Sequence, residues 1–387
     1  MKKLELLAPV GNFKCLNAAI RGGCDAVYFG LQDFNMRDSA KNFTLEDLDE
    51  MRKMCGKVKM YLTLNTIMFD EELGKIENII KKARKNIDAI ICWDLAVIEL
   101  CKKYKVPFFI STQASIANSK AAKFYKKLGA KRIVLARELN LKQIAKISKV
   151  IDTEIFIHGA MCVAESGRCF TSQFLHGCSA NRGKCIQPCR RSYKIIDEEG
   201  NELKLENKNV MSAKDLCTLP FFENIKKSGA VSFKIEGRNR EPEYVYTVTK
   251  VYRKAIDKKL TDEEKQKAME ELTEVYNREF SEGFFIKSPT ADDFTKSEDG
   301  EAKKTKKYVG KVVHYWKELG VAAICAVAEI NIGDELLIVG KNTYENVKIT
   351  SMQINHKPVN KALKGQEVAI KLPFCRENDE VYLRITK

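Results

Sequence analysis

The sequence predicts an α/β protein: a (β/α)₈, TIM-like barrel with a cysteine-rich insert, followed by a small C-terminal β-barrel domain. In the first 240 residues, eight short apolar runs alternate with helix-length amphipathic segments. No GxGxxG follows the first run, where the sequence is APVGNF, and this disfavours a dinucleotide-binding sheet. Eight strands with intervening helices are typical of a closed barrel. Because a sequence does not show closure, a doubly wound open sheet stays the alternative.

The eight predicted strands are nearly continuous in Val, Ile, Leu and Phe, as in IICW and RIVLA. Such runs are typical of parallel strands that are buried on both faces. Segments 119–128 and 141–150 have apolar residues three or four apart, which predicts helices between the strands. The predicted strands are 4–10, 26–30, 59–65, 89–94, 107–113, 132–137, 154–159 and 231–237.

The region after the eighth strand changes character twice. Residues 241–278 have helical spacing and complete a first domain that we place at 1–295. The lysine-rich segment KSEDGEAKKTKK, at 296–307, is typical of a linker. Residues 308–387 contain short alternating runs separated by turn residues, which predicts the β-barrel module.

The composition restricts the compartment and the partners. The chain has 67 Lys and Arg against 52 Asp and Glu, a formal charge of +15. This excess suits a polyanion such as RNA, although a lysine-rich solvated surface has the same effect. No stretch of about 18 apolar residues occurs, so no membrane span is expected. The N-terminus lacks a secretory signal, and we expect a cytoplasmic protein with reduced thiols.

Polar residues are concentrated where the predicted strands end. A barrel carries its chemistry at the carboxyl ends of its strands, so these residues are candidates for one site. Arg37, in the loop after the second strand, is a candidate for the same rim. Each position alone is compatible with a helix cap or a loop residue. The candidates at the strand ends are Asn65, Asp94, Thr112, Gln113, Arg137, Glu138, His158, Lys234, Glu236 and Arg238.

Five of the thirteen cysteines lie in an insert at 160–193, between the seventh and eighth strands. The other eight are scattered singly among mostly apolar neighbours, which favours small core residues. Structural zinc prefers closely spaced ligand pairs, and the insert offers one such pair, Cys185 and Cys189. Its wider, irregular spacing favours an iron–sulfur cluster, with zinc as the alternative. The insert cysteines are Cys162, Cys169, Cys178, Cys185 and Cys189.

The insert is also cationic, with Glu165 as its single acidic residue. Cations stabilise thiolates and hold carboxylates through paired hydrogen bonds. Both a metal cluster and a small anionic substrate therefore suit this segment. The cations are Arg168, Arg182, Lys184, Arg190 and Arg191.

Several motifs occur in a recognisable order: ELLAPVGN, DAVYFG, FISTQAS, RIVLARELNL, IHGAMC, SGRC, CIQPCR, SAKDLC and FKIEGRNREPEYV. Through them the chain resembles the collagenase-like U-type peptidase family, the thirty-second of the peptidases of unknown mechanism. The resemblance covers residues 4–290, and the terminal module resembles that of the tRNA-acting branch. It implies a 4Fe–4S cluster on four cysteines and oxygen-independent hydroxylation of a tRNA uridine, with prephenate as oxygen donor.

The resemblance implies three ligands directly, because Cys162, Cys169 and Cys185 match family positions. The fourth ligand is either Cys217, in the SAKDLC motif, or Cys189, which the spacing alone selects; we favour Cys217. Cys178 matches no family ligand, and its role stays open.

We therefore expect an iron–sulfur enzyme that acts on RNA, most simply tRNA, with a small anionic co-substrate. Arg168, Arg190 and Arg238 are expected to hold carboxylates, while His158 or Glu236 moves protons. A flipped base is expected to contact Asn65, Gln113 and Arg137.

Two alternatives remain. A collagenase-like peptidase lacks support from an HExxH or GxSxG motif, and a cysteine nucleophile paired with His158 would remove Cys162 as a ligand. The second alternative is a non-catalytic, metal-containing RNA-binding protein, because the basic surface and the β-barrel module are also compatible with that function. The target nucleotide and the oligomeric state are not encoded in readable motifs.

Overall fold

The computed structural model describes residues 3–37, 40–203, 207, 209–297 and 300–386. The strands of the first domain are β1 (Glu5–Pro9), β2 (Ala26–Phe29), β3 (Lys59–Leu64), β4 (Ala89–Cys92), β5 (Phe108–Ile110), β6 (Arg132–Val134), β7 (Asp152–Gly159), β8 (Ile195–Ile196), β9 (Glu202–Leu203), β10 (Asp215–Cys217), β11 (Ser232–Ile235) and β12 (Phe280–Ser281). The helices are α1 (Phe13–Arg21), α2 (Leu48–Cys55), α3 (Leu73–Ala83), α4 (Leu95–Lys103), α5 (Ser119–Leu128), α6 (Leu141–Ser148), α7 (Thr171–His176), α8 (Phe222–Lys226), α9 (Pro242–Asp257) and α10 (Asp262–Glu274).

Eight of these strands form a closed parallel barrel. Strands β1 to β7 pair in chain order, and β11 pairs with both β7 and β1. The closing registers are Glu5 opposite Ser232 and Ser232 opposite Glu154. The eight predicted strands are therefore confirmed, and the closure excludes the open-sheet alternative.

The helices around the barrel begin and end at residues that the local sequence specifies. Asn118 caps α5, because its side chain accepts hydrogen bonds from the backbone N–H groups of Lys120 and Ala121. Gly129 ends the same helix with φ 109°, a left-handed conformation that favours glycine. The buried face of α3 carries Ile76, Ile79, Ile80 and Ala83, and such faces cover the outside of the barrel.

Strand β10 extends the sheet at the edge where the cysteine insert leaves the barrel. It pairs antiparallel with β7, with Leu216 opposite Gly159 and Cys217 opposite His158. Strand β12 then pairs parallel with β10. The sequence did not predict either strand, because each has three residues or fewer and is defined by pairing with distant segments.

The C-terminal module is an antiparallel sheet. The strands of the module are β13 (Lys304–Trp316), β14 (Val321–Ala326), β15 (Ile330–Asn331), β16 (Glu335–Val339), β17 (Tyr344–Lys348), β18 (Met352–Ile354), β19 (Lys357–Pro358), β20 (Lys361–Ala362), β21 (Glu367–Lys371) and β22 (Glu380–Thr386). Eight of them form one sheet in the order β17-β16-β22-β13-β14-β21-β18-β19, and β15 pairs separately with β20. The strands surround one apolar core that includes Val312, Leu336 and Val368. The prediction of an all-β module is confirmed.

The predicted linker at 296–307 is shorter than expected, and its positions 298 and 299 lie outside the described residues. Strand β13 already begins at Lys304, because its first residues pair with the end of β22. Before it, the backbone N–H of Asn277 donates to the carbonyl of Glu301 at 3.0 Å. Pairing partners about 80 residues away in sequence convert this lysine-rich segment into strand.

The module is joined to the barrel by charged and aromatic contacts. Lys14 of α1 donates to Glu380 at 2.6 Å, and the rings of Tyr246 and Tyr344 lie 4.6 Å apart. No helix among the described residues has both the length and the apolar character needed to cross a membrane.

Candidate functional site

A buried carboxylate occupies the carboxyl end of the barrel, which we call the mouth. Glu236 follows β11, and its Oε1 accepts hydrogen bonds from Arg37 Nη2 at 2.8 Å and Nε at 3.2 Å. Burial alone raises the pKa of Glu236, but the positive charges of Arg37, Arg137 and Arg238 outweigh it and lower the pKa to about 2. Glu236 is therefore ionised at neutral pH and is a weak base, which disfavours the predicted role in moving protons.

Two further guanidinium groups surround this carboxylate. Arg238 Nη1 donates to Asn35 Oδ1 at 2.9 Å and to Thr63 Oγ1 at 3.0 Å, and burial lowers the pKa of Arg238 to about 10. Arg137 lies 3.8 Å above the ring of Phe156 and donates from Nη1 to the carbonyl of Ala160 at 2.7 Å, whereas its Nε has no hydrogen-bond partner in the described part of the chain. A guanidinium that is buried and not fully paired is costly unless a ligand completes it.

We call Arg37, Arg137, Glu236 and Arg238 the mouth cluster. It combines three cations with one anion, a surplus of two positive charges, and its members are buried or half-buried. Such a surplus fits a ligand with two negative charges, because carboxylates form strong paired hydrogen bonds with guanidinium groups. The sequence placed Arg37 on the rim without assigning it a role.

The predicted base-contacting residues Asn65 and Gln113 do lie together at the mouth. Asn65 Nδ2 donates to Ser111 Oγ at 3.3 Å and to Gln113 Oε1 at 3.5 Å. Arg168 of the insert donates to the carbonyl of Gln113 at 3.0 Å. The third predicted contact, Arg137, belongs to the mouth cluster.

The cysteine insert covers part of the mouth. At Gly167, with φ +79°, an added Cβ would lie 2.5 Å from Gln113 Cγ, so the close approach requires glycine. Arg182 donates to the carbonyl of Ile67 at 2.6 Å and to Glu72 Oε2 at 2.8 Å. These contacts fix the insert over the ends of β3 and β5.

Four cysteines of the insert lie near one another. Burial raises the pKa of the Cys189 thiol, Arg190 opposes this rise, and the charges of Cys162, Cys185 and Cys169 add to it. The charge of Cys162 also acts on Arg37 of the mouth cluster. The charge of one cysteine sulfur affects the pKa of a neighbouring group only at short range. The insert therefore places a group of cysteine side chains beside the mouth. In the ranges that the structure describes, no three Cys, His, Asp or Glu side chains are already arranged as metal ligands.

Two predicted site residues lie elsewhere. Cys217 is buried with its Sγ 3.8 Å from Tyr252 Oη and from Met269 Sδ, and burial raises the pKa of its thiol to about 11. A register shift in the pairing of β7 with β11 places His158 opposite Ile235. As a result the ring of His158 also packs against Tyr252.

The environment of His158 keeps its ring neutral. Burial, followed by the positive charge of Arg240, lowers the pKa of His158 to about 3. Its ring is surrounded by Tyr244, Tyr252 and Phe280. This position on the outer side of the barrel does not fit the predicted proton transfer at the mouth.

Arg190 does not present a free guanidinium to a substrate. It donates to the carbonyl of Ala213 at 2.5 Å, to Ser212 Oγ at 3.2 Å and to the carbonyl of Met161. Arg190 therefore ties the insert to the segment before β10, rather than holding a carboxylate as predicted.

A second charged group, of which the sequence singled out Lys234 alone, lies inside the barrel below the mouth. Arg132 of β6 donates to Glu5 Oε1 of β1 at 2.5 Å and to Glu154 Oε2 at 3.2 Å. Lys234 Nζ donates to Glu154 Oε1 at 3.0 Å. Because β1 and β6 are not neighbours, these bonds cross the interior. We call Glu5, Arg132, Glu154 and Lys234 the core ion network. In the sequence, each of these charged residues lies inside an otherwise apolar run, and this pattern could have indicated the network.

Comparison with known proteins gives concordant results. Residues 11–295 match the family described as Peptidase family U32. The chain is 43% identical to an uncharacterized protease of Methanocaldococcus jannaschii, over 99% of this chain and 98% of that protein. It is 39% identical to a collagenase of Porphyromonas gingivalis, over 98% and 97% of the two chains. It is 36% identical to tRNA hydroxylation protein P1 of Bacillus subtilis, over 88% and 84%.

Proposed function

Because the chain belongs to peptidase family U32, we propose that it is an enzyme that hydroxylates a uridine in tRNA without molecular oxygen, with prephenate as the oxygen donor. The observation that carries the proposal is the mouth cluster, whose surplus of two positive charges suits a dicarboxylate. The Bacillus subtilis relative is named a tRNA hydroxylation protein, which supports RNA as the substrate. The net charge of +15 is in keeping with a polyanionic partner.

A 4Fe–4S cluster is part of the proposal. Cysteine thiolates are the usual ligands of such clusters, and the insert groups Cys162, Cys169, Cys185 and Cys189. Ligation would require these side chains to turn towards a common centre. The buried position of Cys217 favours Cys189 as the fourth ligand, and the choice between them stays a prediction. When bound, the cluster would supply one-electron chemistry beside the mouth.

The residues of the mouth have distinct proposed roles. Arg37, Arg137 and Arg238 bind the two carboxylates of the co-substrate. Glu236, held ionised, fixes the orientation of Arg37 through its two hydrogen bonds. Because these groups are mostly buried, they exclude water and act in a low dielectric, where charge–charge contacts are strong.

The target base would enter beside the co-substrate. Asn65 and Gln113 carry amide groups at the mouth, and amides recognise the edge of a pyrimidine by paired hydrogen bonds. Arg168, which the insert holds against Gln113, is positioned to contact the RNA backbone.

The decisive experiment compares tRNA nucleosides by mass spectrometry from a deletion strain and from strains that carry the wild type or Arg37→Gln. We expect hydroxyuridine to vanish on deletion, to return with the wild type and to stay low with the variant. Unchanged hydroxyuridine in the deletion strain would refute the proposal.

The metal is tested separately on anaerobically purified protein. We expect a brown protein with about four iron and four sulfide per chain. Cys189→Ser should lose iron, whereas Cys217→Ser and the control Cys178→Ser should keep it. Iron loss in Cys217→Ser alone would restore Cys217 as the fourth ligand, and a colourless zinc protein would refute the cluster.

A peptidase is the second candidate, because the relatives from Methanocaldococcus jannaschii and Porphyromonas gingivalis are named a protease and a collagenase. The buried His158 is a poor base for a cysteine nucleophile, since Tyr252 and not a thiol is its hydrogen-bonding neighbour at 3.4 Å. Cleavage of collagen peptides by the purified protein, abolished in Cys162→Ala, would favour this candidate.

A further inference from the structure

Two aromatic rings on the insert are unusually exposed. Phe174 of α7 is 83% exposed and Phe170 is 62% exposed. Their ring centroids lie 6.0 Å apart with planes tilted by 41°. An exposed phenylalanine lacks the favourable free energy that burial of its ring would give. A pair of such rings on a segment beside the site therefore indicates a surface that binds another molecule. We call Phe170 and Phe174 the aromatic pair.

The insert that carries the aromatic pair is cationic. Arg168, Lys184 and Arg191 are exposed on the same insert. The insert contains five Lys and Arg and one Glu, and Ser115 of the barrel donates to that Glu165. Positive charge interleaved with exposed aromatic rings is the pattern of surfaces that bind single-stranded nucleic acid.

The position of the aromatic pair relates it to the mouth. Phe170 directly follows Cys169, and Gly167 and Arg168 pack on Gln113 at the mouth. A nucleotide that enters the mouth must leave its stack, and the neighbouring unpaired bases lose a stacking partner when it does. The exposed rings of Phe170 and Phe174 are a few residues from the contact with Gln113. They can take the place of the base that has left the stack.

We propose that the aromatic pair is a stacking site for unpaired nucleobases that flank the target nucleotide. The proposal rests on the proposed function for the choice of RNA, but it concerns binding and not the hydroxylation itself. Stacking tolerates any base, so the site contributes affinity for single strands and not sequence specificity. The exposed cations beside it bind the phosphates of the same strand.

The test measures binding of a hairpin RNA with an unpaired, uridine-containing loop, and of a fully paired duplex of the same length. Phe174→Ala should weaken hairpin binding about 10-fold and leave duplex binding unchanged, whereas Phe174→Trp should keep the wild-type affinity. The control is Phe124→Ala. The ring of Phe124 is 62% exposed, like that of Phe170, but lies on α5. That variant should bind both RNAs like the wild type.

Salt dependence separates stacking from charge. Phe174→Ala should leave the slope of log affinity against log salt unchanged, and Arg191→Gln should reduce it by about 1. Iron content and circular dichroism of each variant are measured alongside. Loss of hairpin binding that merely follows loss of iron or of folding would overturn the proposal.

Other occupants have different outcomes. Wild-type hairpin affinity in Phe174→Ala would overturn the stacking site, and self-association that depends on Phe174 would then assign the pair to a protein contact. If the wild type hydroxylates tRNA while Phe174→Ala binds normally, the stacking site fails and the proposed function stands. If hairpin binding depends on Phe174 but the deletion strain has unchanged hydroxyuridine, the stacking site stands and the proposed function fails.

Discussion

The barrel contains two charged groups that differ in their balance. The core ion network matches two carboxylates with two cations, and its hydrogen bonds connect its members to one another. The mouth cluster has three cations for one carboxylate, and one of its buried nitrogen atoms has no partner among the described residues. Both groups lie in the same barrel, but the members of the core ion network are buried, whereas Arg37 and Arg137 of the mouth cluster are half-buried.

The difference teaches which buried charges belong to the fold and which belong to a ligand. A buried group that compensates its own charge is complete without anything else, although it is costly to break. A buried group with surplus charge is complete only when an ion of opposite sign binds. On this criterion we propose that the mouth cluster is a binding site and that the core ion network is structural.

The largest expected effect is the loss of balance in the core ion network. Glu154→Gln leaves Arg132 and Lys234 with Glu5 as their remaining carboxylate, and we expect a loss of about 3–5 kcal/mol in the free energy of unfolding. Urea unfolding measures it. The control Lys103→Gln, which breaks an exposed pair with Glu77, should unfold like the wild type. Equal stability of all three proteins would contradict the structural role.

Acid should distinguish the two groups next. The pKa of Glu236 is about 2 in the folded protein against an ordinary 4.5, so its contribution is present above pH 4.5 and is lost as the pH falls towards 2. We expect about 3 kcal/mol for this contribution, measured as the difference in unfolding free energy between wild type and Glu236→Gln across that range.

Glu5 of the core ion network is the internal control for this measurement. Burial raises its pKa, but Arg132, Tyr61 and Ser232 outweigh burial and lower it, so acid also weakens the network. That loss remains in both proteins and cancels in the difference. Parallel pH curves for wild type and Glu236→Gln would show that the mouth carboxylate contributes nothing.

A smaller effect is expected from removing one surplus cation. Arg37→Gln should raise the KM for the dicarboxylate roughly 10- to 100-fold, which corresponds to one charged hydrogen-bonding contact. Steady-state kinetics with varied co-substrate measures it. The matched control is Arg52→Gln, because Arg52 pairs with Asp88 at 2.7 Å and its side chain is as exposed as that of Arg37. An equal rise in both variants would place the co-substrate elsewhere.

The smallest effect concerns His158, which belongs to neither group. Because its pKa is about 3, it is neutral throughout the neutral range and cannot produce a limb near pH 6.5 in the rate profile. His158→Gln should keep the wild-type profile of kcat/KM against pH and lose about 1 kcal/mol of stability. A limb near pH 6.5 that disappears in this variant would restore His158 as a proton-transfer group.

The sequence was sufficient for the barrel strands because each is a short apolar run with turn residues around it. Strands β10 and β12 were missed since pairing with β7, and not their own composition, makes them strands. The insert was found from its cysteines, and Gly167 and Arg168 of the insert contact Gln113, which the sequence had placed at the end of a barrel strand. The sequence did not show that Glu236 pairs with Arg37 or that Arg190 binds Ser212 and Ala213, because these partners are distant in sequence.

The sequence by itself determined the order of the elements, the cysteine insert and the polar residues at the strand ends, because these depend on local pattern and composition. Only the tertiary structure decided which charges meet. It turned His158 outward through a shift in register, buried Cys217 against Tyr252 and gathered Arg37, Arg137 and Arg238 around Glu236. Coulomb energy and burial depend on distance in space, and closure of the barrel brings together residues that are up to about 200 positions apart.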